Sequence, residues 1–202
     1  QADGSPRLRD GVDGWPGREP GRILVPLCGK SQDLIILAEM GHQVVGVEAV
    51  EEACLAFIAE NEIDASAVDC PPPRCWSAPG LTLHCTDFFL FDETGFDAAY
   101  DRAALIALDA PSRRRYIPHL CERLRPGGLI LLSTIEYREG AIEGPPFSVS
   151  DGEVREGFGP FATIRSIADE EVIPADDGSK TASLESYRDR VYLLEIFPSP
   201  SA

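Results

Sequence analysis

The chain has 202 residues, 34 of them acidic and 18 basic, for a formal net charge of −16. That balance excludes a nucleic-acid binder, which needs surplus Lys and Arg to displace counterions from phosphates, and it excludes docking on an anionic membrane surface. A hydrophobic share of 44% is too high for disorder and suits one domain with a sizeable core.

Residues 1–21 are polar, rich in Gly and Pro, and carry no apolar stretch of the kind a signal peptide needs. They read as a lead-in, or as a trimmed lid, to a single domain over 22–202. No apolar run reaches the ~18–20 residues of a membrane span, and a cytoplasmic protein is expected; a monomer is expected separately.

Arg22-Ile-Leu-Val-Pro-Leu27 is a short apolar run that reads as a buried strand. It breaks at Cys28-Gly29-Lys30-Ser31. Asp33 to Met40 has apolar residues at helical spacing, with Ser31 as N-cap and Gly41 in the C′ position. Gln43 to Glu48 is a second strand, ending in a carboxylate, and Val50 to Asn61 is again helical. Residues 62–80 form a connection with a short hairpin strand near Cys75-Trp76. Leu81 to Cys85 and Phe96 to Asp101 are strands, and Ser112 to Leu124 is a helix closed by Arg125-Pro126-Gly127-Gly128. Leu129 to Ile135 is a strongly apolar strand. Ser150-Asp-Gly-Glu153 fits a capping box and opens a short helix. Phe161 to Ile167 and Val191 to Phe197 close the chain as strands, with an acidic, mobile stretch, Asp169 to Ser183, between them.

Strands alternating with helices predict an α/β fold: a doubly wound, mostly parallel seven-stranded sheet with helices on both faces. The last two strands, joined without a helix, predict one antiparallel member at the sheet edge. This layout places a ligand crevice at the carboxyl ends of the first strands.

The six cysteines (28, 54, 70, 75, 85, 121) contain no CxxC, and most sit in apolar runs, so they read as reduced and structural. The three histidines (42, 84, 119) are scattered, and no metal site is expected.

The turn after the first strand carries one glycine, Gly29, which allows a tight turn and close approach to a ligand. It lacks G-x-G-x-x-G, and alone it is an ordinary strand-to-helix turn. Glu48 ends the second strand, near the spacing at which a carboxylate takes a ribose diol. Turn, spacing and strand context together favour a nucleoside-containing ligand over a merely solvated strand end. Thr86-Asp87 follows the third strand, where a polar residue lies near the base of such a ligand or caps a turn. Asp101-Arg102 follows the fourth: either a structural pair, or an Arg that meets the carboxylate of the ligand or an anionic substrate. Gly144-Pro145-Pro146-Phe147 is a stiff loop with an apolar face, a cover for a flat substrate or a rigid connector. Arg113-Arg114-Arg115 opens a helix, where cations oppose the macrodipole, and reads as solvated surface.

Val25-Pro-Leu-Cys-Gly-Lys-Ser31, Gly41-His-Gln-Val-Val-Gly-Val-Glu48, Asp87-Phe-Phe89, Tyr100-Asp-Arg-Ala-Ala-Leu105, Gly144-Pro-Pro-Phe147 and Arg190-Val-Tyr-Leu-Leu194 occur in that order. In these motifs the chain resembles the thiopurine S-methyltransferase family. The resemblance implies a class I, Rossmann-like fold that uses S-adenosylmethionine to methylate a sulfur, selenium or tellurium atom of a small molecule. It implies that Leu27 and Gly29 contact the cofactor in the first turn and that Glu48 holds the ribose hydroxyls. Thr86 and Asp87 would lie along the adenine, Arg102 at the cofactor–substrate junction, and Pro145 and Pro146 beside the substrate. No catalytic acid or base is implied. The chain departs from the family in two places. Trp15 lies among Gly and Pro rather than on an upstream helix, and Asp169 to Ser183 contains no Arg. The competing reading is a methyltransferase-like module that binds the cofactor or another nucleoside without turnover. A nucleotide-linked dehydrogenase is the second alternative, and the absent G-x-G-x-x-G speaks against it.

Overall fold

The computed structural model describes residues 20–68 and 74–198. The chain divides after Tyr100 into two compact units, which are taken in turn.

The first unit holds strands β1 (Arg22–Pro26), β2 (Gln43–Glu48), β3 (Ser66–Val68), β4 (Arg74–Ala78), β5 (Leu81–Cys85) and β6 (Phe96–Asp101). Their order is β3-β4-β5-β2-β1-β6. β1 is parallel to β2 and to β6, and β2 is parallel to β5. Helices α1 (Asp33–Glu39) and α2 (Glu51–Glu60) make the crossovers, as parallel neighbours require. Ile23, Leu24, Leu34, Leu37, Val47 and Phe57 are wholly buried and form the core. Gly46 sits at its tightest point. A Cβ there would lie 2.8 Å from Leu83 and 3.0 Å from the Cys28 sulfur, so no larger residue fits the middle of β2.

The cap of α1 differs from expectation. Gln32 is the N-cap, without a side-chain bond, while Ser31 Oγ accepts from the Asp33 amide at 3.3 Å. Gly41 closes the helix as expected, at φ +94, with its N–H on the Ala38 carbonyl. Cys28, Cys54 and Cys85 are free and buried. Cys75 is disulfide-bonded, contrary to the reading of every cysteine as reduced. Cys70 lies outside the described residues.

The second unit holds α3 (Ala104–Ala107), α4 (Ala110–Arg123), α5 (Asp151–Phe158) and strands β7 (Leu124–Glu136), β8 (Ala162–Val172) and β9 (Tyr187–Ile196). β9 lies between β7 and β8 and is antiparallel to both. The antiparallel member is therefore internal to this three-strand set, and β8 takes the edge. Helix α4 starts earlier than its apolar spacing suggests. Asp109 caps it by accepting from the Ser112 amide at 2.9 Å, and Pro111 falls in the first turn, where a missing N–H costs nothing. Ser150 caps α5 as expected, through the Glu153 amide at 3.1 Å.

The described residues hold nine strands, so the expected seven is corrected. The excess arises because residues 62–80 supply both β3 and β4, an antiparallel hairpin laid on β5. The acidic stretch is also partly structured. Asp169 to Val172 continue β8 and pair with Tyr187 to Arg190. Among the described residues no helix is long and apolar enough to cross a membrane.

Candidate active site

Parallel pairing sets the carboxyl ends of β1, β2 and β5 side by side. Pro26 is level with Val47, and Glu48 with Cys85. The next residues along each strand gather there. The Cys28 amide donates to the Val47 carbonyl at 3.0 Å, and the Thr86 amide to the Glu48 carbonyl at 3.0 Å. The first turn is left-handed at two of its three residues, with φ +46 at Leu27 and φ +52 at Gly29. Gly29 adopts this freely. Leu27 does so at a cost, because a left-handed L-residue crowds its Cβ against the backbone. A Cβ on Gly29 would meet nothing within 4 Å, so open space faces this turn.

Glu48 organises the site. Its Oε2 accepts from the Gly29 amide at 2.9 Å and its Oε1 from the Val50 amide at 2.8 Å. The carboxylate is thereby fixed against both the first turn and the start of α2. Each oxygen still has a lone pair for another donor. Thr86 is half-buried beside it, and Asp87 is exposed. Asp87 Oδ1 accepts from the Phe89 amide at 2.9 Å and caps the short 3₁₀ turn Phe88–Leu90. Asp87 thus caps this turn with one of its two carboxylate oxygens. The nearby thiols are neutral: burial above all, then the Glu48 charge, pushes Cys28 well up, and burial above all pushes Cys54 up to about 12. None is a thiolate nucleophile.

In the second unit, Arg102 is exposed directly after Asp101, which is wholly buried. Asp101 Oδ2 accepts from the Tyr116 hydroxyl at 2.7 Å and Oδ1 from the Leu105 amide at 3.1 Å. The Ala104 amide also donates to this carboxylate. Burial pushes its pKa up to about 6 against these hydrogen bonds, which pull it down. Pro145 is exposed and Pro146 half-buried. The Gly144–Pro145 and Pro145–Pro146 peptides are both cis. The loop is tied down on each side: Phe147 N–H donates to the Ile106 carbonyl at 2.6 Å, and Tyr137 Oη donates to the Pro146 carbonyl at 2.8 Å. A Cβ on Gly144 would overlap the Phe147 ring, so the ring rests on the glycine backbone.

Several residues went unread in the sequence. A cavity of about 560 Å³ in the second unit is lined by Glu136, Tyr137, Arg138, Tyr187 and Arg190 among others. Arg190 is nearly buried, bonded to Glu136 and, at 3.2 Å, to Asp169. It opens the last of the quoted motifs, but nothing there signals these partners, because they lie in two other strands. Arg113 is not solvated surface. It is 5% exposed, donates to Glu153 at 2.6 and 3.1 Å and to the Leu108 carbonyl at 2.7 Å. Arg114 and Arg115 are exposed as expected. Tyr116, the partner of Asp101, gave no signal beyond its helical spacing.

A sequence model of the family described as thiopurine S-methyltransferase (TPMT) matches residues 1–196. The thiopurine S-methyltransferase of Legionella pneumophila (strain Corby) is 41% identical over 147 residues, 71% of this chain and 66% of the relative. That of Pseudomonas fluorescens (strain Pf0-1) is 38% identical over 176 residues, covering 86% of this chain and 81% of the relative. The chain thus spans about two thirds (66%) of the length of the Legionella relative. Among solved structures, a SAM-dependent methyltransferase from Methanosarcina mazei aligns with TM-score 0.69 and 15% identity, covering 96% of this chain and 99% of that one. The 1,6-didemethyltoxoflavin-N1-methyltransferase of Burkholderia thailandensis, with bound S-adenosylhomocysteine, aligns with TM-score 0.59 and 19% identity, covering 89% and 72%. Both likenesses show the fold, that of class I methyltransferases.

Proposed function

The chain belongs to the thiopurine S-methyltransferase family, and from that premise we propose that it transfers a methyl group from S-adenosylmethionine to a sulfur, selenium or tellurium atom of a small acceptor. The observation that carries this reading is the Glu48 carboxylate. It ends β2, is fixed by two backbone amides, and keeps lone pairs to accept a pair of vicinal hydroxyls. The donor set fits the cofactor. The open face of Gly29 would admit it, Leu27 would contact it at the turn, and Thr86 and Asp87 would lie along its base. When bound, the cofactor supplies a methyl group activated by a sulfonium leaving group.

The chain itself has little proton chemistry to do. Its residues bind and align, and proximity of this kind is a large share of the barrier in a displacement. An acceptor thiol of low pKa reaches its thiolate form without a dedicated base, which agrees with a first turn that offers backbone amides and one carboxylate. Arg102 is proposed to contact both cofactor and acceptor, and Pro145 and Pro146 to flank a flat acceptor.

A panel assay tests the reading. The full chain, given S-adenosylmethionine with thiopurines, small thiols, selenite and tellurite, is expected to yield a methylated product and S-adenosylhomocysteine for at least one acceptor. Cofactor binding with no transfer to any of them would instead support the binding module.

A further inference from the structure

Asp101 is a charged residue with no exposure at all, and the proposed reaction gives it no contact with either ligand. Its cost must be offset by something local. All its identified partners lie on one small assembly. Tyr116 Oη, from the second turn of α4, donates to Oδ2 at 2.7 Å. Two consecutive amides at the head of α3 donate to the same carboxylate, Leu105 at 3.1 Å and Ala104 beside it. The carboxylate therefore ties the head of α3 to α4. Arg102 sits in the two-residue link between the anchor and α3. At the other end of α3, the Ile106 carbonyl accepts from Phe147 N–H at 2.6 Å, which hangs the Gly144–Phe147 loop on the same turn.

We propose that Asp101 and Tyr116 are positioning residues: together they set the backbone from which Arg102 projects and the turn that holds Pro145 and Pro146. This rests on the acceptor role proposed for Arg102. A buried carboxylate bonded to two amides and a hydroxyl is a rigid node, since each partner lost leaves a desolvated group unpaired. Its rigidity reaches Arg102 through two peptide units and the loop through one hydrogen bond.

A double-mutant cycle with local amide exchange tests it. Tyr116→Phe removes one hydroxyl from an otherwise intact ring. It is expected to lower kcat/KM for the acceptor roughly tenfold, mainly through KM for the acceptor. In an Arg102→Ala background the same change is expected to cost clearly less, about threefold, the remainder passing through the loop that holds Pro145 and Pro146. The same loss in both backgrounds would overturn the proposal, because a purely structural effect is indifferent to Arg102. In parallel, the Ala104 and Leu105 amides should exchange roughly tenfold faster in Tyr116→Phe while those of Leu193 and Leu194 in β9 are unchanged. Unchanged exchange at Ala104 and Leu105 would also overturn it. If the wild-type chain transfers no methyl group, the proposed function fails instead, and the exchange result alone decides the positioning role.

Discussion

Glu48 and Asp101 are both carboxylates at the end of a strand, and they are put to opposite uses. Glu48, at the end of β2, is half-exposed and held by two backbone amides, with lone pairs left over. Asp101, at the end of β6, is wholly buried, bonded to a hydroxyl and two amides, with its pKa pushed up to about 6. The first carboxylate keeps exposure and spare acceptor capacity, which is why it is the one proposed to meet a ligand. The second is turned inward and shapes backbone. A strand-end carboxylate is thus not a ligand site by position alone: exposure and spare acceptor capacity decide.

The contrast can be broken most sharply at Glu48. Glu48→Ala should weaken S-adenosylmethionine binding about 100-fold by calorimetry, since hydrogen bonds to a charged acceptor are worth ~1.5–3 kcal/mol. A loss below threefold would remove Glu48 from the site.

At Asp101 the expected effect is on stability and depends on pH. The unfolded chain releases this proton near the ordinary value of 3.8, and the folded chain holds it to about 6. The stabilisation from the retained proton is complete below 3.8 and is lost as pH rises through about 6. Asp101→Asn lacks that loss. Its urea-unfolding free energy relative to wild type should therefore climb by ~2 kcal/mol between pH 4 and pH 7. A flat difference would mean that Asp101 is ionised across the range in the folded chain. Asp151 and Asp169, whose values Arg partners depress, slope the other way and cancel in the difference.

A smaller effect is expected where a buried cation is stranded. Glu153→Ala leaves Arg113, with a side chain 7% exposed, without its carboxylate. Breaking a fully buried pair costs ~3–5 kcal/mol; Glu153 is 36% exposed, so about 1–2 kcal/mol is expected from urea denaturation. The smallest effect belongs to Leu27. Leu27→Gly relieves a left-handed leucine and should change stability by less than ~1 kcal/mol, while cofactor affinity falls with the lost side chain. A thermal melt beside a titration separates the two.

What could be read from the sequence follows a physical line. Apolar strands and helices announced themselves by periodicity, so β1, β2, β5, β6 and the crossovers were legible. The end of β8 was not, because Asp169 to Val172 are largely exposed and pair through charge. Asp169 is bonded to Arg188 at 2.7 Å and to Arg190. Hydrophobic patterns do not register strands of that kind. Glu48 was legible because its spacing from the first turn follows from parallel pairing. Arg113 was misread because the partner that buries it, Glu153, is forty positions away. The left-handed Leu27 left no trace in residue type, and Asp101 looked like half of an Arg pair because Tyr116 was invisible as its partner.

The measurement closest to the central claim asks whether Glu48 itself reads the ribose. S-adenosylhomocysteine and its 2′,3′-dideoxy analogue would be titrated into the wild-type chain and into Glu48→Ala. The account predicts that removing the hydroxyls costs the wild type more than about thirtyfold in affinity and costs Glu48→Ala almost nothing, because the acceptor is already gone. An equal penalty in both proteins would contradict it.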